Sequence, residues 1–402
     1  MTGWNEIQLD LVIPDAVGWW NDCPASAVLP FDRSFLGDVP RNGETVLTGR
    51  LDGESAPHVL AYRQSDATIH WTVNVEHWMQ WIRNEDYRPP HTRPWFTRLP
   101  FHYHAIPPSI RNAVLKILLA IGGARRSHNS DSQPDFQMPI GYEVLDTLTA
   151  KAQSDRSPER EPLLVLTHDI DSCSGFDWVK EIAGVEMSLG VRSSWNVVTS
   201  LYDMRHDILE WLVEQGFEIG VHGSRHDSRL AFLPADAMEA RFKEMLELRD
   251  RYEVAGFRSP SWLRTNQLFE LMSRYFKYDC SCLDVDRICP AGHGGVGTVR
   301  PFVRDGLVAL PTTIPLEVPV FLGMEWNEVP EYWTTKVQWL LAVNGTILVN
   351  THPDPHYSGN TEALAAYKRF LESCLSQGCT NRLPRVVADN VLLRQSECVS
   401  DA

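Results

Sequence analysis

The chain has 402 residues, which is enough for one large domain or for a domain of about 250 residues with a sizeable additional region. Apolar residues make up 43% and charged residues 22%, so a largely disordered or collagen-like chain is excluded. The formal net charge of -15 argues against a nucleic-acid partner, because phosphate binding needs Lys and Arg clustered on one face.

The beginning of the chain and its cysteines bear on its location. Residues 1–20 carry no Lys or Arg ahead of an apolar run, which a secretory signal would need. The most apolar stretch, 113–123, is too short to span a bilayer. The eight cysteines contain no Cys-x-x-Cys pair, which favours reduced thiols over a zinc ribbon or a disulfide framework. We therefore expect a cytoplasmic protein without a membrane span, and the oligomeric state stays open.

The N-terminal part mixes strand-like and helix-like segments. Residues 58–64 and 68–75 are rich in β-branched and aromatic residues, and residues 109–123 form an apolar helical pattern that ends at glycines. Residues 149–161 are polar and charged, as in a linker. We expect an N-terminal accessory region at 1–155 and a second domain at 156–402. A lid, a specificity domain and an oligomer contact are all compatible with the first region.

Beyond residue 160 short apolar runs alternate with longer amphipathic segments. The expected strands are 163–167, 193–198, 217–221, 254–257 and 346–350. The expected helices are 178–189, 204–215, 235–251, 266–275, 331–343 and 361–376. This alternation predicts an α/β fold with a parallel sheet, for which a barrel and an open sheet both fit.

Polar residues with catalytic potential follow the ends of these strands, where parallel β/α folds carry their reactive groups. They are Asp169 and Asp171 after the first strand, His222 and His226 after the third, Arg258 after the fourth, and His352 after the last.

Each of these residues also has an ordinary structural explanation. Asp169 and Asp171 could cap the next helix and stabilise a turn, and the His-x-x-x-His pair could be hydrogen-bonded in a loop. Arg258 could form a surface salt bridge, and His352 could be a buried histidine with its hydrogen bonds satisfied. The joint occurrence of all six, in order and at strand ends, favours a functional site.

The motifs resemble those of a known family. The order Thr-x-Asp-x-Asp (167–171), His-x-x-x-His (222–226), Arg-x-Pro (258–260) and a late His352 after an apolar strand is similar to that of the polysaccharide deacetylases, the NodB-homology group of carbohydrate esterases. The resemblance covers about residues 161–355. It implies a (β/α) barrel, distorted or incomplete, with the N-terminal part as a mixed α/β extension.

The resemblance also implies a role for each residue: Asp169 as catalytic base, Asp171, His222 and His226 as metal ligands, Arg258 as the group that orients the base, and His352 as general acid. The backbone N–H that helps to bind the oxyanion in the family falls at Ser261, with Trp262 next to it. Most of the 14 tryptophans are expected in the core, but Trp262 is a candidate sugar platform.

The sequence departs from the family pattern in four places. Ile170 separates the two aspartates, which are usually adjacent, and Ser261 stands where an aromatic residue is usual. Asp279 is the nearest candidate for the fourth motif but lacks the tryptophan of that motif. Asn350 replaces the leucine two residues before the last histidine.

Two neutral imidazoles and one carboxylate suit a first-row divalent ion with open coordination positions. Zinc is the expected ion, with cobalt, nickel, manganese and iron as alternatives. The expected activity is N-deacetylation of an acetamido sugar, either a small molecule or an oligosaccharide. Two alternatives stay open: hydrolysis of a cyclic amide, imide or formamide at the same site, and a catalytically inactive carbohydrate-binding module.

Overall fold

The computed structural model describes residues 5–13, 26–37, 43–65, 68–87, 93, 95–98, 140–152, 162–285, 295–321 and 323–400. The helix expected at 109–123 lies outside these residues, and so does the expected linker from residue 153 onward. Among the described residues no helix is long and apolar enough to cross a bilayer.

An antiparallel sheet forms the N-terminal part. Its strands are β1 (Asn5–Leu11), β2 (Ser26–Phe31), β3 (Glu44–Leu51), β4 (His58–Arg63) and β5 (Ile69–Trp71), in the spatial order β2-β1-β3-β4-β5. Helices α1 (Val75–Arg83) and α2 (Ile140–Ala152) accompany it. Trp78 of α1 is fully buried, and its indole N–H donates to the Pro30 carbonyl at 2.8 Å. The predicted mixed α/β extension is therefore confirmed.

The strand expected at 68–75 is shorter than predicted. Asn74 caps α1 by accepting a hydrogen bond from the His77 N–H at 3.2 Å, so the chain turns into a helix where the alternating pattern suggested more strand.

The remaining strands form a second, mainly parallel sheet. They are β6 (Leu163–Ile170), β7 (Ser194–Val197), β8 (Glu218–Val221), β9 (Gly256–Phe257), β10 (Tyr278–Asp279), β11 (Phe302–Arg304), β12 (Leu307–Ala309), β13 (Ile314–Pro315), β14 (Thr346–Thr351) and β15 (Thr380–Asn381). Parallel pairing runs from β14 through β6, β7, β8, β9 and β10 to β12, and β13 pairs with β14. β11 pairs antiparallel with β12, and β15 pairs with β6.

One continuous segment, 307–315, closes this sheet into a barrel. On one side Leu310 N–H donates to the Asp279 carbonyl at 2.8 Å. On the other side Thr313 N–H donates to the Leu348 carbonyl at 3.1 Å. Because the same segment contains β12 and β13, it joins β10 to β14 and completes the ring. The barrel is distorted, since β9, β10 and β13 span two residues each. The predicted distorted (β/α) barrel is confirmed.

Helices follow most barrel strands. They are α3 (Phe176–Ser188), α4 (His206–Glu214), α5 (Ala235–Lys243), α6 (Leu246–Arg251), α7 (Asn266–Met272), α8 (Val318–Phe321), α9 (Val329–Ala342), α10 (Thr361–Ser376) and α11 (Pro384–Ser400). The prediction of a single helix at 235–251 is wrong, because the segment forms two helices, α5 and α6. At the break, the N–H of the buried Met245 bonds to the Phe242 carbonyl three residues back instead of continuing the α-helical pattern.

Helix α11 covers the amino-terminal end of the barrel. Val387 and Ala388 pack with Val165 and Leu348 in the barrel interior. The Glu218 carboxylate, at the start of β8, accepts from the Arg385 backbone N–H at 3.2 Å. The opposite end, formed by the carboxyl ends of the strands, is called the rim below.

Gly256 offers a test of the barrel interior. A Cβ added at Gly256 would lie 1.9 Å from Tyr278 Cζ, and that tyrosine is held by a 2.9 Å hydrogen bond to Glu218. We expect Gly256→Ala to lower the free energy of unfolding by about 1–3 kcal/mol through overpacking. Gly184→Ala, within α3 and with open space around it, should raise this free energy by about 0.5–1 kcal/mol. Urea unfolding measures both, and equal midpoints would contradict the packing described here.

Candidate metal centre

The residues singled out in the sequence come together at the rim. Asp169 lies near the end of β6 and Asp171 just beyond it, and His222 directly follows β8. Arg258 directly follows β9, and His352 directly follows β14. Because parallel barrel strands all point the same way, their carboxyl ends bring these side chains to one place.

Asp171, His222 and His226 form a compact buried cluster. The Asp171 Oδ1 atom lies 3.1 Å from His226 Nε2 and 3.4 Å from His222 Nε2. The two Nε2 atoms are 3.1 Å apart. None of the three residues is more than 8% exposed. Three potential ligand atoms therefore converge in a site with little access to water.

The chemistry of this cluster fits a divalent metal ion. Ligands held at zinc distances in a tetrahedron lie about 3.3 Å from each other, close to the spacing here. Asp171 Oδ1 is buried and has no hydrogen-bond donor among the described residues. His222 Nδ1–H donates to the Arg258 carbonyl at 2.9 Å, which leaves the Nε2 lone pair for an ion. Burial raises the pKa of Asp171, but His226 and His352 outweigh it and hold this pKa well below its usual value.

The loop that carries His226 has an unusual backbone. His226 and Ser228 have φ angles of 45° and 55°, in the left-handed region that non-glycine residues rarely adopt. Asp227, between them, accepts from the Arg241 guanidinium at 2.7 Å and from the Arg229 backbone N–H at 3.1 Å. The buried Asp227 carboxylate thus stabilises a conformation that aims His226 at the cluster.

Asp169 lies beside the cluster, inside the barrel. Its Oδ1 accepts from Asn196 Nδ2 at 2.7 Å and from Arg258 Nη1 at 3.0 Å. Burial raises the pKa of Asp169, but the charges of Arg258, His222 and His352 lower it below its usual value. The carboxylate is therefore kept ionised, with Oδ1 fully engaged and Oδ2 directed to His352, whose Nε2 is 3.8 Å away.

Arg258 is 1% exposed, and four acceptors surround its guanidinium. Besides Asp169 they are the Cys280 carbonyl at 3.1 Å, Thr312 Oγ1 at 3.3 Å and Asn350 Oδ1. Asn350, which the sequence comparison of motifs marked as a departure from the deacetylase pattern, is thus an acceptor for this arginine. The surface salt bridge considered for Arg258 from sequence is excluded by its burial.

His352 is paired with a carboxylate that sequence reasoning missed. Its Nδ1–H donates to Glu317 Oε2 at 2.7 Å, and its backbone N–H donates to Glu317 Oε1 at 2.6 Å. Ser358 Oγ donates to the same Glu317 oxygen at 2.6 Å. Asp279, the candidate for the fourth motif, does not bind His352 in the described contacts. Its carboxylate accepts from the Ser281 N–H at 2.8 Å. Glu317 follows a two-residue strand that contains a proline, so no periodic pattern indicated its position.

Ser261 and Trp262 form a tight turn after β9. Both have left-handed φ angles, 56° and 51°. Ser261 Oγ lies 3.1 Å from Ser228 Oγ, so this turn touches the loop of His226. Trp262 is half-buried there. His356, the second histidine of the HPDPH segment, is exposed and outside the cluster.

The Glu317–His352 pair predicts a measurable pKa. Burial lowers the pKa of His352, but the charges of Glu317 and Asp171 raise it from 6.5 to about 10. We expect Glu317→Gln to lower this pKa in metal-free protein, as measured by an NMR titration of the ring. Ser358→Ala, which removes a neutral donor from Glu317 but keeps its charge, is the control.

The same pair affects stability in a defined pH window. Because the folded pKa exceeds the unfolded value, ionised His352 stabilises the fold fully below pH 6.5, and this contribution disappears as the pH rises through about 10. The stability difference between wild type and Glu317→Gln should follow that course. An unchanged His352 pKa in Glu317→Gln would contradict the role of the carboxylate.

No family model matches the sequence, and no curated protein matches it. Solved structures with similarity include a protein from Mycobacterium smegmatis assigned to the polysaccharide deacetylases, at 18% identity over 60% of this chain and 93% of that chain with a TM-score of 0.48. They also include PuuE allantoinase, at 13% identity over 58% and 91% with a TM-score of 0.48. A third is the chitin deacetylase of the fungal pathogen Colletotrichum lindemuthianum, at 14% identity over 57% and 88% with a TM-score of 0.38.

Proposed function

We propose that this protein is a metal-dependent amide hydrolase that removes the acetyl group from an acetamido sugar or a sugar-containing intermediate. The observation that carries the proposal is that two groups of side chains meet at the rim. One is the cluster of Asp171, His222 and His226. The other is the pair of Asp169 and His352, with Oδ2 and Nε2 3.8 Å apart. We assign the catalytic part to residues 156–402 and the accessory part to residues 1–155.

Asp171, His222 and His226 would hold one divalent ion, with zinc as first choice and cobalt, nickel, manganese or iron as alternatives. Such an ion supplies Lewis acidity and makes water a stronger acid. Three protein ligands are typical of catalytic zinc sites, which keep a coordination position open, whereas structural sites have four. The donor set therefore favours chemistry over a purely structural role.

Asp169 is the proposed general base. Arg258 and Asn196 occupy its Oδ1 atom, so Oδ2 is the oxygen that takes the proton of the attacking water. The low pKa of Asp169 keeps the carboxylate ionised and ready to accept this proton. Arg258 is the proposed orienting group, because it holds the carboxylate from inside the barrel.

His352 is the proposed general acid. Glu317 binds Nδ1, so Nε2 is the atom that gives a proton to the leaving nitrogen. An amine needs this proton because it is a poor leaving group as an anion. The raised pKa of His352 keeps the ring protonated at neutral pH. Among these residues His352 also has the most accessible side chain, 17% exposed, which suits contact with a substrate.

The substrate assignment rests on the turn of Ser261 and Trp262 at the rim. Trp262 could stack on a sugar ring, and the turn at Ser261 would supply a backbone N–H to the oxyanion. The functional test is acetate release from a panel of N-acetyl sugars by the zinc-loaded protein. Bound metal without acetate release, together with opening of cyclic amides, imides or formamides, would favour the alternative hydrolase. A protein with neither metal nor turnover would be a binding module.

The metal ligands are tested by alanine variants. We expect His222→Ala and His226→Ala each to lose bound metal and nearly all activity while the fold persists, because each removes a direct ligand from a barrel with a large independent core. His356→Ala is the matched control and should keep its metal, since His356 is exposed. Elemental analysis measures the metal, and stoichiometric metal in both cluster variants would overturn the assignment.

The two aspartates are separated by their asparagine variants. Asp169→Asn should keep the metal and lower turnover by about 10²–10⁴-fold, because an amide cannot accept the proton. Asp171→Asn should lose metal affinity together with activity. Arg258→Met should shift the acidic limb of the pH–rate profile to higher pH with metal content unchanged, because Arg258 lowers the pKa of Asp169. Metal loss in Asp169→Asn with retention in Asp171→Asn would reverse the two roles.

A further inference from the structure

The turn formed by Pro260, Ser261 and Trp262 borders the candidate metal centre. It contacts the His226 loop through Ser261 and Ser228, whose Oγ atoms are 3.1 Å apart. Two consecutive non-glycine residues in the left-handed region are costly, so such a turn persists where its surroundings hold it. The contacts that hold this turn therefore bear on the shape of the site.

Arg264 binds one end of this turn. Its side chain is 1% exposed, and Nη1 donates to the Trp262 carbonyl at 3.0 Å and to the Ser281 carbonyl at 3.1 Å. The other end is bound through Ser281 as well, because Ser281 Oγ accepts from the Ser259 N–H at 2.7 Å. Asp279 holds Ser281 in place, because the Asp279 carboxylate accepts from the Ser281 N–H at 2.8 Å. Both ends of the turn are thus tied to the segment after β10.

Glu85, from the N-terminal region, binds the same arginine. Its Oε2 accepts from Arg264 Nε at 2.7 Å and its Oε1 accepts from Nη2 at 2.6 Å, a bidentate pair in which both side chains are at most 10% exposed. Glu85 itself has a φ of 60°. The preceding residue is also anchored to the barrel, because Arg304 Nη2 donates to the Asn84 carbonyl at 3.0 Å.

We propose that Glu85 is a positioning residue of the active site, and that the N-terminal region serves to hold the Pro260–Trp262 turn against the metal centre. The Glu85 carboxylate fixes two of the three guanidinium nitrogens of Arg264, which leaves Nη1 aimed at the two carbonyls. Glu85 itself touches none of the proposed catalytic groups in the described contacts. The inference rests on the proposed function in one respect, that this turn contacts the substrate.

The inference predicts an effect on turnover without an effect on metal. In the full-length, zinc-loaded protein we expect Glu85→Gln to lower kcat for an N-acetyl sugar by about 10- to 100-fold, because small displacements of positioning groups cost rates of this size. Metal content should be unchanged. Glu85→Asp, which keeps the charge, should recover part of the loss. Arg83→Gln is the matched control, because Arg83 pairs with Asp146 and not with the turn.

A second readout does not depend on catalysis. Hydrogen exchange of the peptide 258–264, followed by mass spectrometry, should be faster in Glu85→Gln than in wild type and unchanged in Arg83→Gln. If the wild type releases no acetate from any sugar, the proposed function fails, and this measurement still decides whether Glu85 holds the turn. Unchanged exchange in Glu85→Gln would overturn the inference.

A double-mutant cycle tests whether Glu85 acts through Arg264. Arg264→Met should reduce kcat at least as much as Glu85→Gln, and the double variant should match Arg264→Met alone. Losses of kcat that multiply in the double variant would show that Glu85 acts by another route and would overturn the inference.

Discussion

The hydrogen bonds and the ion pair of the buried Arg258 guanidinium are the interactions on which the site depends most. A buried positive charge is tolerated only when it is paired and its N–H groups are satisfied. Asp169 supplies the charge, and Thr312, Asn350 and the Cys280 carbonyl supply further acceptors from three other places in the ring. The backbone carbonyl of Arg258 accepts a hydrogen bond from His222 Nδ1–H and so fixes the tautomer of His222. One residue therefore couples the interior of the barrel, the candidate base and the candidate metal cluster.

Two carboxylate–cation pairs of different character flank the metal cluster. In the Asp169–Arg258 pair the cation is permanently charged, and it helps to hold the pKa of the carboxyl below its usual value. In the Glu317–His352 pair the cation can release its proton, and the carboxylate sets how strongly it is held. An ionised carboxylate and a protonated imidazole thus lie in one small site because their partners differ. This arrangement separates two pKa values that burial alone would bring closer together, because burial raises the pKa of Asp169 and lowers the pKa of His352.

Much of the barrel and site could be predicted from sequence, for identifiable reasons. Candidate site residues such as Asp169 and His222 lie at the ends of apolar strands, and parallel strands bring their ends together whatever the chain distance between them. Glu317 and Glu85 could not be found in this way. Glu317 follows a two-residue strand, and Glu85 meets Arg264 across 179 residues of chain. The prediction of a single helix at 235–251 is wrong because the spacing of apolar residues does not detect a local change of backbone hydrogen bonding at Met245.

The pairing of β6 with β14 has a consequence for how the molecule forms. β6 carries Asp169 and leads directly into Asp171, yet the side chains of His168 on β6 and Thr351 on β14 meet across 183 residues of chain. During synthesis β6 emerges long before its neighbour, and the segment that closes the ring also precedes β14. Contacts of such sequence separation form late and slowly. A nascent chain therefore presents the β14-facing edge of the apolar strand β6 unpaired until residues 346–351 have been made, and the two aspartates meet His352 only after that point.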